Sequence, residues 1–436
     1  MSSSTTPAEV HRLWRRAAFG IDAAGAEARA GRPWDELVDE LISPEPAPMA
    51  RPAELDDPAL AGAGEFFRAL AVSGAWLDHM ATTPTPGVEK LTWFWHGHFT
   101  TSMAKVVWGE GLHRQLTSLR TRATGPFRDL LGELAVDSAM GFWLDNVGNV
   151  AGANNENLAR ELLELFTVGV GNHTQTDVTE AARCLTGHNV DWDGSMAPRF
   201  YPSLHDGGTK TVLGSTGAFD AHGLCDVICN DTNRVLVART VARKLWEAWA
   251  APAPSAALVD DLAQRALADG FTGRAFARAV LLHPEYRSTA AQTQLVRSPV
   301  EIAVAVAKLA GTTPSALGAL QALAEADHLP FMPPNVSGWP PARDLLSARA
   351  WWQLGPLHST AAFHAAWTAP APIPTTAAMA PADAARAGLR WAGIPEPSPA
   401  TVDGIAAYVT TIRQTTPAWE PVALAMAVTL SPDFAA

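Results

Sequence analysis

Apolar side chains recur at every third or fourth position along most of this 436-residue chain, and that spacing constrains the fold more than any other feature. The clearest example is the segment 155–168, whose apolar face consists of Leu158, Leu162, Leu165 and Phe166. Apolar residues make up 47% of the chain and charged residues 17%, so a large core can be buried. The sequence therefore predicts a mainly α, multi-helix globular fold.

One long stretch, residues 189–220, departs from helical spacing and is rich in glycine, proline, aspartate and aromatic residues. We interpret it as a long irregular insert. Within it, Arg199–Leu204 and Thr209–Leu213 flank the turn signal at Asp206-Gly207, and we predict that they pair as a short β-hairpin. Long loops in compact folds often carry binding or catalytic residues, so the insert is a candidate part of a functional site.

The chain is longer than a single hydrophobic core needs, which indicates more than one helical lobe. We predict a main lobe over residues 1–290, which contains the insert, and a second lobe over 291–436 with a Pro-rich linker at 369–380. An internal echo favours this division. Residues 276–286 and 424–434 are each an apolar helix followed by a proline, an acidic residue and an aromatic residue, and proline cannot continue a helix.

The net charge of −12 argues against nucleic acid and acidic membranes as partners, since no stripe of Lys and Arg is present to neutralise phosphates. No window reaches the roughly 18 apolar residues of a membrane span. Arg15 and Arg16 are not followed by the apolar run of an export signal, which predicts a cytoplasmic chain. Three cysteines, a low and odd number, argue against a disulfide framework.

Two histidines, His96 and His98, lie in a segment with helical spacing. On a helix, residues two apart point about 200° apart, so only one of them faces a given site. We favour His98 as a catalytic residue and metal ligand, because it follows Phe94 by four residues and precedes Ser102 by four. The alternative is a core or surface histidine whose ring is hydrogen-bonded.

Two glutamates on the 155–168 helix are the other candidate metal ligands. Glu161 lies at the edge of the apolar face and Glu164 is three residues further on, so the two carboxylates can chelate one cation. With His98 they form a candidate ligand set for a divalent metal ion. The alternative is an ion-paired face, because Arg160 and Glu164 are four residues apart.

The insert contributes His205 and Asp206, an adjacent pair suited to acid–base catalysis or metal binding, and then Lys210. We take all three as candidate catalytic residues. The alternative for the pair is turn chemistry, because Asp-Gly is a common turn signal.

The segment 328–341 contains five prolines, which exclude regular structure there. It also holds Asn335 and Trp339, the candidate substrate-binding residues. A tryptophan on a rigid loop can line a pocket or stack on a ring of the substrate. The alternative is a lid that covers the core, and with sixteen tryptophans in the chain many of them must be core residues.

Seven segments, taken in order, resemble a bacterial family of unknown function, the domain-of-unknown-function family 1800. The resemblance covers residues 12 to about 352. It implies a predominantly helical fold and no established activity, and many resembling proteins look exported. The segments are RLWRRAAFG (12–20), FWHGHFTTS (94–102), NENLARELLELFTVG (155–169), DVTEAARCLTGH (177–188), HDGGTKTVLG (205–214), ARKLW (242–246) and MPPNVSGW (332–339).

These residues favour an uncharacterised, metal-dependent enzyme, with hydrolysis ahead of oxidation. Its site would lie between the helices at 90–102 and 155–168 and the insert at 189–220. A divalent cation would activate water or polarise a small-molecule or polymer substrate, which Asn335 or Lys210 would position. The alternative is a non-catalytic helical scaffold or binding module for a protein or polymer. A cofactor protein, such as a haem protein, has no motif here.

Overall fold

The computed structural model describes residues 5–192, 195–288, 291, 294–368, 373–374 and 376–436. In these ranges the chain is mainly α-helical, as predicted, with two small antiparallel two-stranded sheets. The helices are α1 (Pro7–Ala17), α2 (Ala23–Glu27), α3 (Trp34–Ile42), α4 (Glu65–Thr82), α5 (Pro86–His98), α6 (Gly109–Arg122), α7 (Phe127–Ala135), α8 (Ser138–Trp143), α9 (Asn157–Glu161), α10 (Gln175–Cys184), α11 (Ala221–Ile228), α12 (Arg234–Trp249), α13 (Ala256–Ala268), α14 (Gly273–Leu281), α15 (Pro299–Ala310), α16 (Ala319–Glu325), α17 (Ala342–Leu345), α18 (Ala348–Trp367), α19 (Pro381–Trp391), α20 (Pro399–Thr415), α21 (Glu420–Thr429) and α22 (Pro432–Ala435).

The predicted hairpin is wrong in its pairing. Strand β1 (His188–Val190) pairs with β2 (Pro198–Phe200), and β3 (Lys210–Val212) pairs with β4 (Ser215–Gly217). The stretch taken as the first hairpin strand instead ends in a 3₁₀ turn at Pro202–Leu204. A proline at the start of that turn has no amide hydrogen to donate to a ladder, and Lys210–Val212 finds its partner across the shorter turn that follows it.

The helix α9 continues directly into a π-helical turn at Leu162–Phe166, so the predicted helix at 155–168 is present but not uniform. Helix α10 begins at Gln175, directly after its capping residue. Thr174 caps it, accepting from the Asp177 amide while the Asp177 carboxylate accepts from the Thr174 amide. The predicted irregular segment at 328–341 carries no helix or strand.

The hydrophobic core consists of two clusters. The first is built from α1, α3, α5, α7 and α9 to α14, and the second from α4, α15, α16 and α18 to α21. Val72 and Trp76 of α4 belong to the second cluster although they precede residue 290. The proposed lobe boundary at 290 stays a prediction. The predicted linker at 369–380 lies partly outside the described residues, between the end of α18 and the start of α19.

None of the helices in the described ranges combines the length and the apolar character needed to cross a lipid bilayer.

Candidate functional site

A cleft of about 560 Å³ lies where α5 and α12 meet the segments 294–298 and 337–343. Its volume falls within the roughly 300–1,000 Å³ range of small-molecule sites. The side chains on its walls include three tryptophans and several charged groups. The residues used below are Lys90, Trp93, His98, Arg243, Lys244, Glu247, Trp249, Glu301, Trp339 and Arg343.

Main-chain carbonyl groups of the π-helical turn hold two of the side chains that line this cleft. The last carbonyls of a helix lack intrahelical donors and must find other partners. Here the Leu165 carbonyl accepts from Lys244 Nζ at 2.9 Å, and the Phe166 carbonyl lies 2.9 Å from His98 Nε2. The turn is closed by Thr167, whose hydroxyl donates to the Leu162 carbonyl at 2.6 Å. The π turn therefore holds two titratable side chains from two other helices.

His98 ends α5 and is only 3% exposed. Because its Nε2 faces the Phe166 carbonyl, that nitrogen carries the proton and donates. Nδ1 is then the unprotonated nitrogen, and Lys244 Nζ lies 3.5 Å from it. The ring stacks on Phe94 with centroids 5.9 Å apart. Burial, together with the nearby Lys244 charge, lowers the pKa of His98 well below its usual range, so the ring is neutral.

Lys244 lines the cleft, and among the described residues it forms no ion pair with an acidic side chain. Burial, reinforced by the neighbouring Arg243 and opposed by Glu247, lowers the pKa of Lys244 to about 8. Its hydrogen-bond partners are the Leu165 carbonyl and the unprotonated nitrogen of His98. Both are acceptors, so they orient the amine towards the cleft without neutralising it.

An aromatic wall faces these two groups. Trp93 of α5 stacks on Trp339 with ring centroids 5.4 Å apart and an interplanar angle of 29°. Trp339 is held there by Gly338, whose φ of +87° suits glycine, and a Cβ on Gly338 would lie 2.7 Å from the Gly97 carbonyl oxygen. The 328–341 segment therefore presses against α5 at a point where only a glycine fits.

The same segment is anchored by hydrogen bonds to the end of α5 and the residues after it. The Phe331 amide donates to His96 Nε2 at 3.0 Å, and the Met103 amide donates to the Phe331 carbonyl at 2.7 Å. Phe331 is fully buried and has a φ of +61°, a conformation that costs a bulky residue free energy. His96 thus serves the placement of the aromatic wall and does not line the cleft.

The charges on the cleft walls sum to a positive value. Four basic residues, Lys90, Arg243, Lys244 and Arg343, face two acidic ones, Glu247 and Glu301, which leaves two positive charges in excess. Lys90 is buried in an ion pair with Glu301, and Arg243 pairs with Glu247 at 3.1 Å. Lys244 therefore supplies one charge of the excess, and the exposed Arg343, which lies 3.7 Å from Asp344, supplies the other.

The structure brings two of the predicted site residues to this cleft, His98 and Trp339. Asn335 is not on its walls. It is exposed, and its side-chain oxygen accepts from the Ser337 amide at 2.8 Å, which shapes the turn leading to Trp339.

The predicted metal ligands are not assembled into one centre. Within the described ranges, no group of three or more His, Cys, Asp and Glu side chains is arranged to hold a metal ion. Glu164 lies 3.6 Å from Arg160 and 3.7 Å from His173, which fits the ion-paired alternative. Glu161 is half-buried beside it, and burial together with the Glu164 charge raises the pKa of Glu161. His98 instead points its ring nitrogens at Phe166 and Lys244.

The three insert residues lie away from the cleft walls and make turn contacts. Asp206 forms a two-bond ion pair with Arg183, at 2.7 and 3.2 Å, which lowers the pKa of Asp206 to about 2. Nδ1 of His205 lies 3.0 Å from the Thr186 carbonyl and 3.1 Å from its hydroxyl. The buried Lys210 amine donates to the main-chain carbonyls of Asp206 and Gly208. These contacts match the turn-chemistry alternative.

The sequence reasoning missed Lys244 and Trp93 as site residues. Lys244 directly follows Arg243, and two adjacent basic residues are not a pattern typical of a site. The available signal was its position inside the apolar ARKLW segment, where a lysine on an otherwise buried stretch needs acceptors. Trp93 directly precedes the FWHGHFTTS segment and gave no signal beyond its size.

The comparisons with known proteins agree with the resemblance and extend it. A family model described as "Protein of unknown function (DUF1800)" matches residues 12–436, which includes the region after residue 352 where the sequence alone offered no match. No curated protein and no solved structure matches the chain. Three of the seven resembling segments contribute to the cleft walls: those at 94–102, 242–246 and 332–339 supply His98, Lys244 and Trp339. A fourth, at 155–169, supplies the π turn that contacts His98 and Lys244.

Proposed function

Since this chain belongs to the DUF1800 family, whose description names no activity, we propose its function from the cleft: it is an enzyme, with hydrolysis as the favoured reaction. Lys244 acts as the general base and acid, and His98 positions it. The substrate is an anionic small molecule, or the end of an anionic polymer, that presents a ring or an apolar face to Trp339.

The observation that carries this proposal is the Lys244 amine, fixed between two acceptors on the wall of an open cleft. With a pKa of about 8, about a tenth of the amines are neutral at pH 7, and a group poised near the working pH is the best proton-transfer catalyst. The neutral amine would take the proton from an attacking water and return it to the leaving group. His98, which is buried and neutral, keeps the amine pointing inward.

The proposed substrate class is based on the charge and the aromatic surface of the cleft walls. The excess of two positive charges favours an anion. Trp93 and Trp339, stacked at 5.4 Å, present an aromatic surface at which a ring or apolar group packs well. Glu301 does not repel such a ligand strongly, because its charge is matched by Lys90.

Metal dependence stays part of the proposal and is tested separately from the role of Lys244. The described side chains offer no three-ligand cluster, so the proton transfer is assigned to Lys244. A divalent ion carried in by an anionic substrate would still be compatible with this cleft.

The test compares hydrolysis of p-nitrophenyl acetate with that of mono-p-nitrophenyl succinate, with and without added Mg²⁺, Mn²⁺ or Zn²⁺. We expect the anionic ester to be favoured and Lys244→Met to lower its rate about 10²–10⁴-fold. Lys105→Met is the matched control, because Lys105 is exposed and pairs with Asp145. Equal rates for the wild type and Lys244→Met, at equal melting temperatures, would contradict the assignment.

A second candidate function, a binding module for a protein or polymer, is favoured by one surface feature. Phe363, Trp367 and Trp419 are 40%, 56% and 46% exposed, and their ring centroids lie 5.3–5.6 Å apart. Trp419 packs edge to face on the other two rings. Exposed aromatic clusters of this kind often mark interaction surfaces. Replacing all three with alanine should leave ester hydrolysis unchanged if the cleft acts on its own.

A further inference from the structure

A second cavity, of about 700 Å³, lies between the α1–α3 region and the helices α15 and α19. It is larger than the cleft and is separated from it by the segment 295–298. Its walls are mostly apolar, and they are formed by Trp14, Phe19, Ile21, Leu41, Leu309, Trp391 and Phe434, together with alanine, glycine and proline residues. A cavity of this size and character accommodates a small apolar molecule.

Arg297 places a buried positive charge on this apolar wall. The residue is 7% exposed, its Nη1 donates to the Phe434 carbonyl at 3.0 Å, and its guanidinium lies 4.4 Å from the centre of the Phe434 ring. Among the described residues it has no ion pair with any acidic side chain. The charges that act on it are those of Arg15 and Arg16, which together with burial lower the pKa of Arg297. A buried guanidinium without a counter-charge is costly.

Lys308 of α15 brings a second cation to the same place. Its Nζ donates to the Gly20 carbonyl at 2.9 Å, and a Cβ on Gly20 would lie 3.9 Å from Arg297 Nη2. The two cations therefore flank the same glycine. Burial lowers the pKa of Lys308 to about 8, with Asp22 opposing this effect and Arg297 adding to it.

The acidic residues on the cavity wall are engaged elsewhere. Glu40 pairs with Arg29 at 2.6 Å and also with Arg32. Asp22 caps α2 by accepting from the Gly25 amide at 2.7 Å. Neither carboxylate forms an ion pair with Arg297 or Lys308 among the described residues, so the two cations keep their capacity to bind an anion.

We propose that this cavity is a binding site for an apolar monocarboxylic acid, whose carboxylate lies between Arg297 and Lys308 and whose hydrocarbon part packs on Trp14, Leu309 and Phe434. The planar guanidinium of Arg297 matches a carboxylate geometrically, and the Lys308 ammonium supplies a second charge. The apolar walls disfavour a bare inorganic anion, which would lose its hydration shell without gaining apolar contacts.

The test is isothermal titration of the full chain with decanoate, decan-1-ol and inorganic phosphate. We expect decanoate to bind at least tenfold more tightly than decan-1-ol and phosphate to show no binding. Arg297→Met and Lys308→Met should each weaken decanoate binding at least tenfold and leave decan-1-ol binding unchanged. Two independent variants are used so that a folding defect in one, detected by its melting temperature, leaves the other informative.

Lys244→Met serves as the matched control, because it alters the cleft and not this cavity; it should bind decanoate like the wild type. This also separates the inference from the proposed enzymatic function, since binding is read without any reaction. Equal affinities for decanoate and decan-1-ol, tight phosphate binding, no decanoate binding, or loss of decanoate binding in Lys244→Met alone would each overturn the proposal.

Discussion

His358 shows how single buried polar atoms limit the stability of this fold. It lies inside α18 with no exposed surface, and neither ring nitrogen has a hydrogen-bond partner among the described residues. The ring of His358 stacks on the ring of Trp351, with centroids 5.9 Å apart. A buried donor that is left unpaired costs about 1–3 kcal/mol relative to a satisfied one.

We therefore expect His358→Leu to raise the free energy of unfolding by about 1 kcal/mol at pH 7.5. Urea denaturation of wild type and variant measures this. His364→Leu is the matched control on the same helix, because His364 Nδ1 already lies 3.1 Å from the Thr368 hydroxyl, and no gain is expected there. A loss of stability in His358→Leu would show that the histidine ring is satisfied in solution.

At the scale of single residues, helical spacing was enough to predict His98 but not its partner. The four-residue steps from Phe94 to Ser102 put His98 on an inward face, which the structure shows. Lys244 escaped because its nearest acceptor is the main-chain carbonyl of Leu165, which is placed by a π turn that no side-chain pattern encodes. Glu161 and Glu164 have the right spacing to bind a cation, but Glu164 lies 3.6 Å from Arg160 of the same helical segment instead.

At the scale of elements, the 155–168 helix shows what periodicity can and cannot determine. The apolar set from Leu158 to Phe166 predicts a helix correctly, and these side chains do enter the first core. The same set is compatible with one wider turn, because Leu165 and Phe166 are both apolar and either can face inward. The π turn at Leu162–Phe166 uses that tolerance to redirect two carbonyls.

Gly338 links the irregular 328–341 segment to α5, and Gly338→Ala tests that link. The Cβ would lie 2.7 Å from the Gly97 oxygen and the backbone has a positive φ, so we expect a loss of about 1–3 kcal/mol in unfolding free energy. Gly404→Ala, in the middle of α20 with no atom within 4 Å of the new Cβ, should instead gain about 0.5–1 kcal/mol. Similar effects at the two sites in urea denaturation would refute the close approach.

At the scale of the whole molecule, the internal echo has a physical meaning that the sequence could not provide. His283 and Ser431 each cap a short helical turn that begins with proline. The charges of both Arg15 and Arg16 act on Tyr286 of the first turn, and Arg15 donates to the Asp433 carbonyl of the second at 3.4 Å. Which distant segments meet depends on long-range packing, which local periodicity does not encode.

Buried histidines should make the molecule as a whole sensitive to acid. Burial lowers the pKa of His96 and His328 to about 3 and of His188 and His358 to about 4. In the unfolded chain they titrate near 6.5, so between about 6.5 and 3 the unfolded state binds more protons and stability falls as the pH falls. Asp137, whose pKa burial raises to about 6, and Glu161, whose pKa burial also raises, act in the opposite direction but are fewer than the histidines.

We expect the urea midpoint to be lower at pH 5.5 than at pH 7.5. His358→Leu should reduce the difference, because one of the four histidines is removed. The slope contributed by each proton is about 1.4 kcal/mol per pH unit. A midpoint that is unchanged between these pH values, or that rises in acid, would contradict the burial of these rings.

Residues 295–298 lie between the cleft and the second cavity. Leu295, Val296 and Ser298 face one side, and Arg297 faces the other. Because neighbouring Cα atoms are only about 3.8 Å apart, we expect a ligand that displaces Arg297 in the cavity also to displace the residues that line the cleft. By thermodynamic linkage, a ligand in the cleft then changes the affinity of the cavity by the same factor. We therefore expect a ligand bound in one site to change the affinity of the other site, so that each affinity depends on whether the neighbouring site is occupied.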